Sequence, residues 1–160
     1  RFPCGRGAVF APGRFEVIAP RAFAARIDAG DEIHLLAGHS YDRPLASRAA
    51  GTLEIEDRPE ALTLTAALDA GTSWARDFLA AHAAGLIRGL SPGFRVPADG
   101  ERIERRGKDV LRTITAAELF EVSAVTRPAY PEAQIEARNW SPVRTLPTGR
   151  ALGADFRWRR

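Results

Sequence analysis

Residues 52–68 constrain the fold more tightly than any other stretch of the chain. In "TLEIED" (52–57), Leu53 and Ile55 fall on one face, and Thr52, Glu54 and Glu56 on the other. In "ALTLTAAL" (61–68), Leu62, Leu64, Ala66 and Leu68 share a face. A period of two sets one side of a strand against a core and the other in solvent. "DRPE" (57–60) lies between the two runs and carries turn residues, so the pair reads as a hairpin. A second hairpin is expected from "ERIERRG" and "KDVLRTITAAEL", turning near Gly107. "LFEVSAV" (119–125) alternates Leu119, Glu121, Ser123 and Val125 against Phe120, Val122 and Ala124.

Helical signals are few. "TSWARDFLAAHAAGLIRG" (72–89) is the strongest: Thr72 or Ser73 can cap it, Trp74, Phe78, Ala81 and Gly85 recur at helical spacing, and Gly89 can stop it. "PRAFAARIDAG" (20–30) reads as a short helix between Pro20 and Gly30. "EIHLLAGH" (32–39) has strand character, "SYDRPLASRAAG" (40–51) reads as a loop, and "LSPGFRV" (90–96) as an extended segment. "RPAYPEAQ" (127–134) breaks the pattern. Strands joined by turns, without regular crossover helices, predict an α+β fold with a mainly antiparallel sheet or barrel.

The chain has 160 residues, enough for one domain or one domain and a tail. Its formal charge of +3 is unevenly spread. Residues 1–137 carry 17 basic and 19 acidic side chains, a balance of −2, whereas 138–160 carry six arginines against Asp155, a balance of +5. A near-neutral body argues against nucleic-acid binding there and leaves only the tail for such a contact. The expected organisation is a folded domain over 1–137 and a basic, solvated tail over 138–160. Cys4 is the only cysteine, which excludes a disulfide within the chain and fits a reducing compartment. One cysteine and three histidines argue against a zinc site. No apolar run is long enough to span a bilayer, and "RFPCGRGAVF" lacks signal-peptide architecture. The chain contains no Met, so residues are expected before Arg1.

"GLSPG" (89–93) fits G-x-S-x-G, a frequent mark of a nucleophilic serine. Three features oppose an α/β-hydrolase elbow. Here a helix precedes the serine and an extended segment follows. Pro92 has no N–H to offer an oxyanion. His34, His39 and His82 all precede Ser91, against that fold's order. Triads recur in other orders, so a nucleophile at Ser91 stays open beside a plain turn serine. His39, at the end of an apolar strand, is the best-placed base. His34 falls on the opposite face by alternation, and His82 lies within the helix as a packing or surface residue.

Four segments in order then carry a resemblance. "FEVIAPRAF" (15–23), "LLAGHSYDRPLA" (35–46), "IRGLSPGF" (87–94) and "LFEVSAVTRPAYPEAQI" (119–135) resemble segments of the tailed-phage prohead, or capsid-maturation, proteases. The resemblance covers about residues 15–137. It implies a serine endopeptidase with a herpesvirus-assemblin-like fold, a small β-barrel ringed by helices. Ser91 then matches the nucleophile, His39 the general base and Glu121 the third member. Glu118, of opposite strand parity, is the competing carboxylate. No metal or cofactor is implied. The implied partners are scaffold and the major capsid protein as substrates, and the chain itself. A homo-oligomer stays open, and no membrane is involved. The implied location is inside the procapsid in the cytoplasm of a bacterial host, whether for a phage, a prophage or a gene-transfer agent. Two residues depart from the family pattern. Ser40 stands where an acidic residue is commoner, and Pro92 where a non-proline is commoner. The Gly93 N–H, or one near Arg105 and Arg106, is then the candidate oxyanion donor. The competing readings are a catalytically weak or inactive structural relative, and a hydrolase of small esters.

Overall fold

The computed structural model describes residues 1–5, 7–130, 132–133 and 135. In chain order it forms β1 (Phe2–Pro3), β2 (Gly7–Ala11), β3 (Arg14–Ile18), α1 (Ala24–Asp28), β4 (His34–Ala37), β5 (Ser40–Ser47), β6 (Leu53–Asp57) and β7 (Ala61–Ala66). Then follow α2 (Ser73–Ala83), β8 (Gly89–Arg95), β9 (Glu101–Arg106), β10 (Asp109–Ile114) and β11 (Glu118–Val125).

Both expected hairpins form. β6 and β7 pair antiparallel with Ile55 opposite Leu64, and Leu53 and Ile55 are buried while Glu54 and Glu56 face solvent. β9 and β10 pair antiparallel across Gly107 and Lys108. The strands assemble into three sheets of order β1-β7-β6, β2-β3-β10-β9 and β5-β4-β11-β8. Two pairings, β3–β10 and β4–β11, are parallel, and the other six are antiparallel.

The expected barrel does not close, and the two helices among the described residues make no ring. Closure needs the last strand of a sheet to pair with the first. β9 ends its sheet as a run of exposed, mostly charged residues, a composition that discourages further pairing. β8 ends its sheet with Pro92, which has no N–H to offer a neighbour. The start of its outer edge is taken by the chain's own later segment: Leu90 N–H donates to Ala133 at 2.9 Å, and Ile135 N–H to Arg88 at 2.8 Å.

Two local readings are corrected. Residues 40–47 are a strand rather than a loop, because β5 pairs with β4 and lies polar and mostly exposed at a sheet edge. The main helix starts on Thr72, whose hydroxyl accepts the Ala75 N–H, but it ends well before Gly89. Gly85 takes a φ of +76°, and the N–H groups of Gly85 and Leu86 return to the carbonyls of His82 and Ala81. This paired closure satisfies the last carbonyls and stops the helix. No described helix is long and apolar enough to cross a membrane. The expected basic tail, 138–160, lies outside the described residues.

The core gathers Phe2, Ile18, Phe23, Ile33, Leu62, Ile114, Leu119 and Val122. Tyr130 closes it from the far end of the sequence. Its ring meets Phe2 edge-on with centroids 4.8 Å apart, and its hydroxyl donates to the buried Glu16, which also pairs with Arg112 at 2.7 Å. Burial, then the Glu16 bond, pushes the Tyr130 hydroxyl well above the ordinary tyrosine value. Tyr130→Phe is therefore expected to destabilise the fold by about 1–3 kcal/mol, the cost of a buried acceptor losing its donor. Urea unfolding of the two proteins measures this, and unchanged midpoints would disprove it.

Candidate active site

Sheet β5-β4-β11-β8 positions the three side chains that the sequence singles out. β11 lies between a parallel neighbour, β4, and an antiparallel one, β8. Directly opposed residues of an antiparallel pair share a face. Ser91 of β8 lies opposite Ser123 of β11, and Gly93 opposite Glu121. Ser91, Gly93, Glu121 and Ser123 therefore share one face, while Pro92 opposite Val122 and Leu90 opposite Ala124 hold the other.

His39 arrives from the β4–β5 hairpin. Ala37 pairs with Ser40, so Gly38 and His39 form a two-residue turn. Both have positive φ, +63° and +62°, as a tight hairpin of matching twist requires. Glycine adopts this conformation freely, whereas for histidine it is unfavourable by about 1–2 kcal/mol. Two bonds tie the turn to β11: Gly38 N–H donates to the Ala124 carbonyl at 3.0 Å, and His39 N–H to Ser123 Oγ at 2.9 Å.

The imidazole then meets the carboxylate. His39 Nδ1 lies 2.7 Å from Glu121 Oε1. A carboxylate accepts, so the proton sits on Nδ1 and Nε2 is the nitrogen left with a lone pair. Glu121 is 5 % exposed, and its second oxygen accepts from Ser123 Oγ at 2.6 Å. The His39 side chain is about half exposed. Ser91 is 8 % exposed, and its Oγ makes no hydrogen bond among the described residues. His39 and Glu121 are thus in contact, and Ser91 is placed on their sheet face without a bond to His39. Catalytic contacts of this kind commonly tighten only when substrate binds.

Gly93 has a different part from the one its sequence suggests. A Cβ built there would lie 2.1 Å from Glu121 Oε1. The absent side chain is the space the carboxylate occupies.

Glu118 stands on the same face as Glu121, against its expected parity, and is engaged elsewhere. The register slips between Leu119 and Glu121, with Phe120 as the extra residue of a bulge. The slip puts Leu119 on the core face with Val122, and Glu118 on the same face as Glu121. Glu118 is occupied by its cross-strand neighbour Arg95, 2.6 Å away. His34 is aligned with Glu121 in the β4–β11 ladder, but its Nε2 lies 3.4 Å from Glu32 and its ring packs edge-on to Tyr41. His82 bonds the Ile87 carbonyl at 2.7 Å and stacks on Phe78.

Strand alternation also bears on the oxyanion donor. Leu90 N–H points to the outer edge, toward Ala133, so Pro92 points outward too, and the N–H groups of Ser91 and Gly93 turn into β11. Proline fits this place because no ladder bond is asked of it. Arg105 and Arg106 lie on β9, in a different sheet. Among the described residues no group of three or more His, Cys, Asp or Glu is placed to hold a metal ion. An open cavity of about 330 Å³ lies beside the hairpin, lined by residues that include Ala37, Arg43, Trp74, Phe78 and Ile87.

A family model described as caudovirus prohead serine protease matches residues 7–145, a span that includes His39, Ser91 and Glu121. Neither a curated protein nor a solved structure matches the chain.

Gly93→Ala is expected to displace the Glu121 carboxylate and break its bond to His39 while the fold persists. In proton NMR of histidine-labelled protein, the downfield Nδ1–H signal of His39 should be present in the wild type and lost in the variant. A retained signal would show that the carboxylate has room to spare.

Proposed function

The chain belongs to the caudovirus prohead serine proteases, and from that premise we propose that Ser91, His39 and Glu121 form its catalytic triad. The family's proteases act in capsid maturation, inside the procapsid. The observation that carries the residue assignment is the 2.7 Å contact between His39 Nδ1 and the buried Glu121, on the same sheet face as Ser91.

The chemistry follows from the proton positions. With Nδ1–H held by Glu121, Nε2 takes the Ser91 Oγ proton as Oγ attacks the scissile carbonyl carbon. The C–N bond then breaks, and the Nε2 proton passes to the leaving amine. Water attacks the resulting ester, gives a proton to Nε2, and Oγ recovers that proton as the acid product leaves. Base assistance of this kind contributes about 10²–10⁴ in rate. Glu121 balances the imidazolium formed in each half-reaction.

The proposed substrates are scaffold, or the scaffolding segment of the major capsid protein, and the chain itself, within an assembling particle in a bacterial host. The cavity between the β4–β5 hairpin and α2, where Arg43, Ser73 and Asp77 join Trp74, Phe78 and Ile87, is the proposed seat of a substrate side chain. The segment 138–160, Pro-broken and rich in arginine, is the proposed self-processing or scaffold-docking region.

One observation favours a second reading. β8 presents no outward N–H after Ser91, because that position is Pro92. Loss of one oxyanion donor costs about 10²–10³ in turnover, so a weak or inactive structural relative is the alternative.

Co-expression with a cognate major capsid protein, followed by intact-mass analysis, separates these readings. Cleavage of the capsid protein or of this chain is expected in the wild type and absent in Ser91→Ala. Uncut masses in both would favour the structural relative. Equal cleavage in both would remove Ser91 from the mechanism.

A further inference from the structure

Ser123 has no part in the proposed triad, yet it touches two of its members, His39 and Glu121. It is wholly buried, at 0 % exposure. Its Oγ accepts the His39 backbone N–H at 2.9 Å and donates to Glu121 Oε2 at 2.6 Å. With the 2.7 Å bond from His39 Nδ1 to Glu121 Oε1, these contacts close a ring: His39 backbone, Ser123, Glu121, His39 side chain. A hydroxyl has one proton to give. Because that proton goes to the carboxylate, a lone pair faces the His39 N–H, and the direction of every bond in the ring is set. Nδ1 is the donor because the carboxylate only accepts, and Nε2 is then the free base.

We infer that Ser123 is a positioning residue for His39, acting through Glu121 and through the backbone of the Gly38–His39 turn. The inference rests on the proposed triad. Two physical effects carry it. Without the hydroxyl, Glu121 Oε2 is left bare in a buried place, and the carboxylate is free to turn away from Nδ1. The His39 N–H also loses its acceptor, at a residue whose φ of +62° is unfavourable for a side chain. The turn itself survives, because the Gly38 N–H still binds the Ala124 carbonyl. What loosens is the aim of the imidazole. A buried strand serine with a purely structural role would need only one of these bonds, and would not link the two halves of a single histidine.

The test reads the reactivity of Ser91 directly, without a known peptide substrate. A fluorophosphonate probe is attacked by Ser91 Oγ, fluoride leaves, and the Oγ proton passes to His39 Nε2. Labelling rates are compared for wild type, Ser123→Ala, Glu121→Gln and the double variant, with melting temperatures as the control for folding. Ser123→Ala is expected to slow labelling by about 10–100-fold at saturating probe. In the Glu121→Gln background the same change is expected to add less than about threefold, since residues that act as a unit are not additive. Ser123→Cys fills the site with a slightly larger group, replaces the hydroxyl with a poor donor, and serves if the alanine variant does not fold. Labelling of Ser123→Ala within about threefold of wild type overturns the inference, as does a full multiplicative loss in the double variant. Wild-type protein that takes no label, or Glu121→Gln labelled at the wild-type rate, overturns the triad reading and this inference with it.

Discussion

A carboxylate with 5 % of its surface exposed must have its oxygens occupied. Glu121 is that group, and much of the site is arranged around it. His39 supplies the partner for one oxygen and Ser123 the partner for the other. Gly93 supplies the room, because any side chain there would overlap the carboxylate. The bulge at Phe120 sets the face on which Glu121 stands, and β4 brings the turn that delivers the histidine. Remove the burial, and none of these features has a reason to be where it is.

The period-two runs and the turn residues between them made both hairpins legible in the sequence, and the Thr72 cap marked the helix start. The order of motifs made the family legible, and with it His39 and Glu121 as a pair. Other features depend on relations that a linear pattern does not carry. The bulge adds one residue to β11 without any Gly or Pro to mark it, so parity alone put Glu118 on the wrong face. β5 reads as a loop because an edge strand is polar on much of its length. Gly85 looked like part of a helical stripe, but its positive φ made it the stop. Ser123 stood in plain view two residues from Glu121, and the shared strand face was the signal that could have found it.

The closed barrel was an expectation of resemblance, and hydrogen-bonding capacity accounts for its failure. Two of the three sheets end on a strand that has little to offer a neighbour: Pro92 in one, a charged run in the other. The same proline lies beside the proposed nucleophile. Its position on the outward edge of β8 reconciles it with the strand, while moving the question of oxyanion stabilisation to groups outside that strand.

The histidine turn has a consequence for how such a chain would change over time. At φ +62° the backbone favours glycine or asparagine, and either would relax the hairpin. Replacing His39 alone would relieve the turn but leave Glu121 Oε1 without its partner in a buried place, so the gain needs the carboxylate to be lost as well. The residue is therefore held between two opposed demands: the turn disfavours its side chain, and the buried carboxylate requires it. In the proposed triad His39 is the member on which these demands meet, more so than a serine on a regular strand or a glutamate enclosed by its partners.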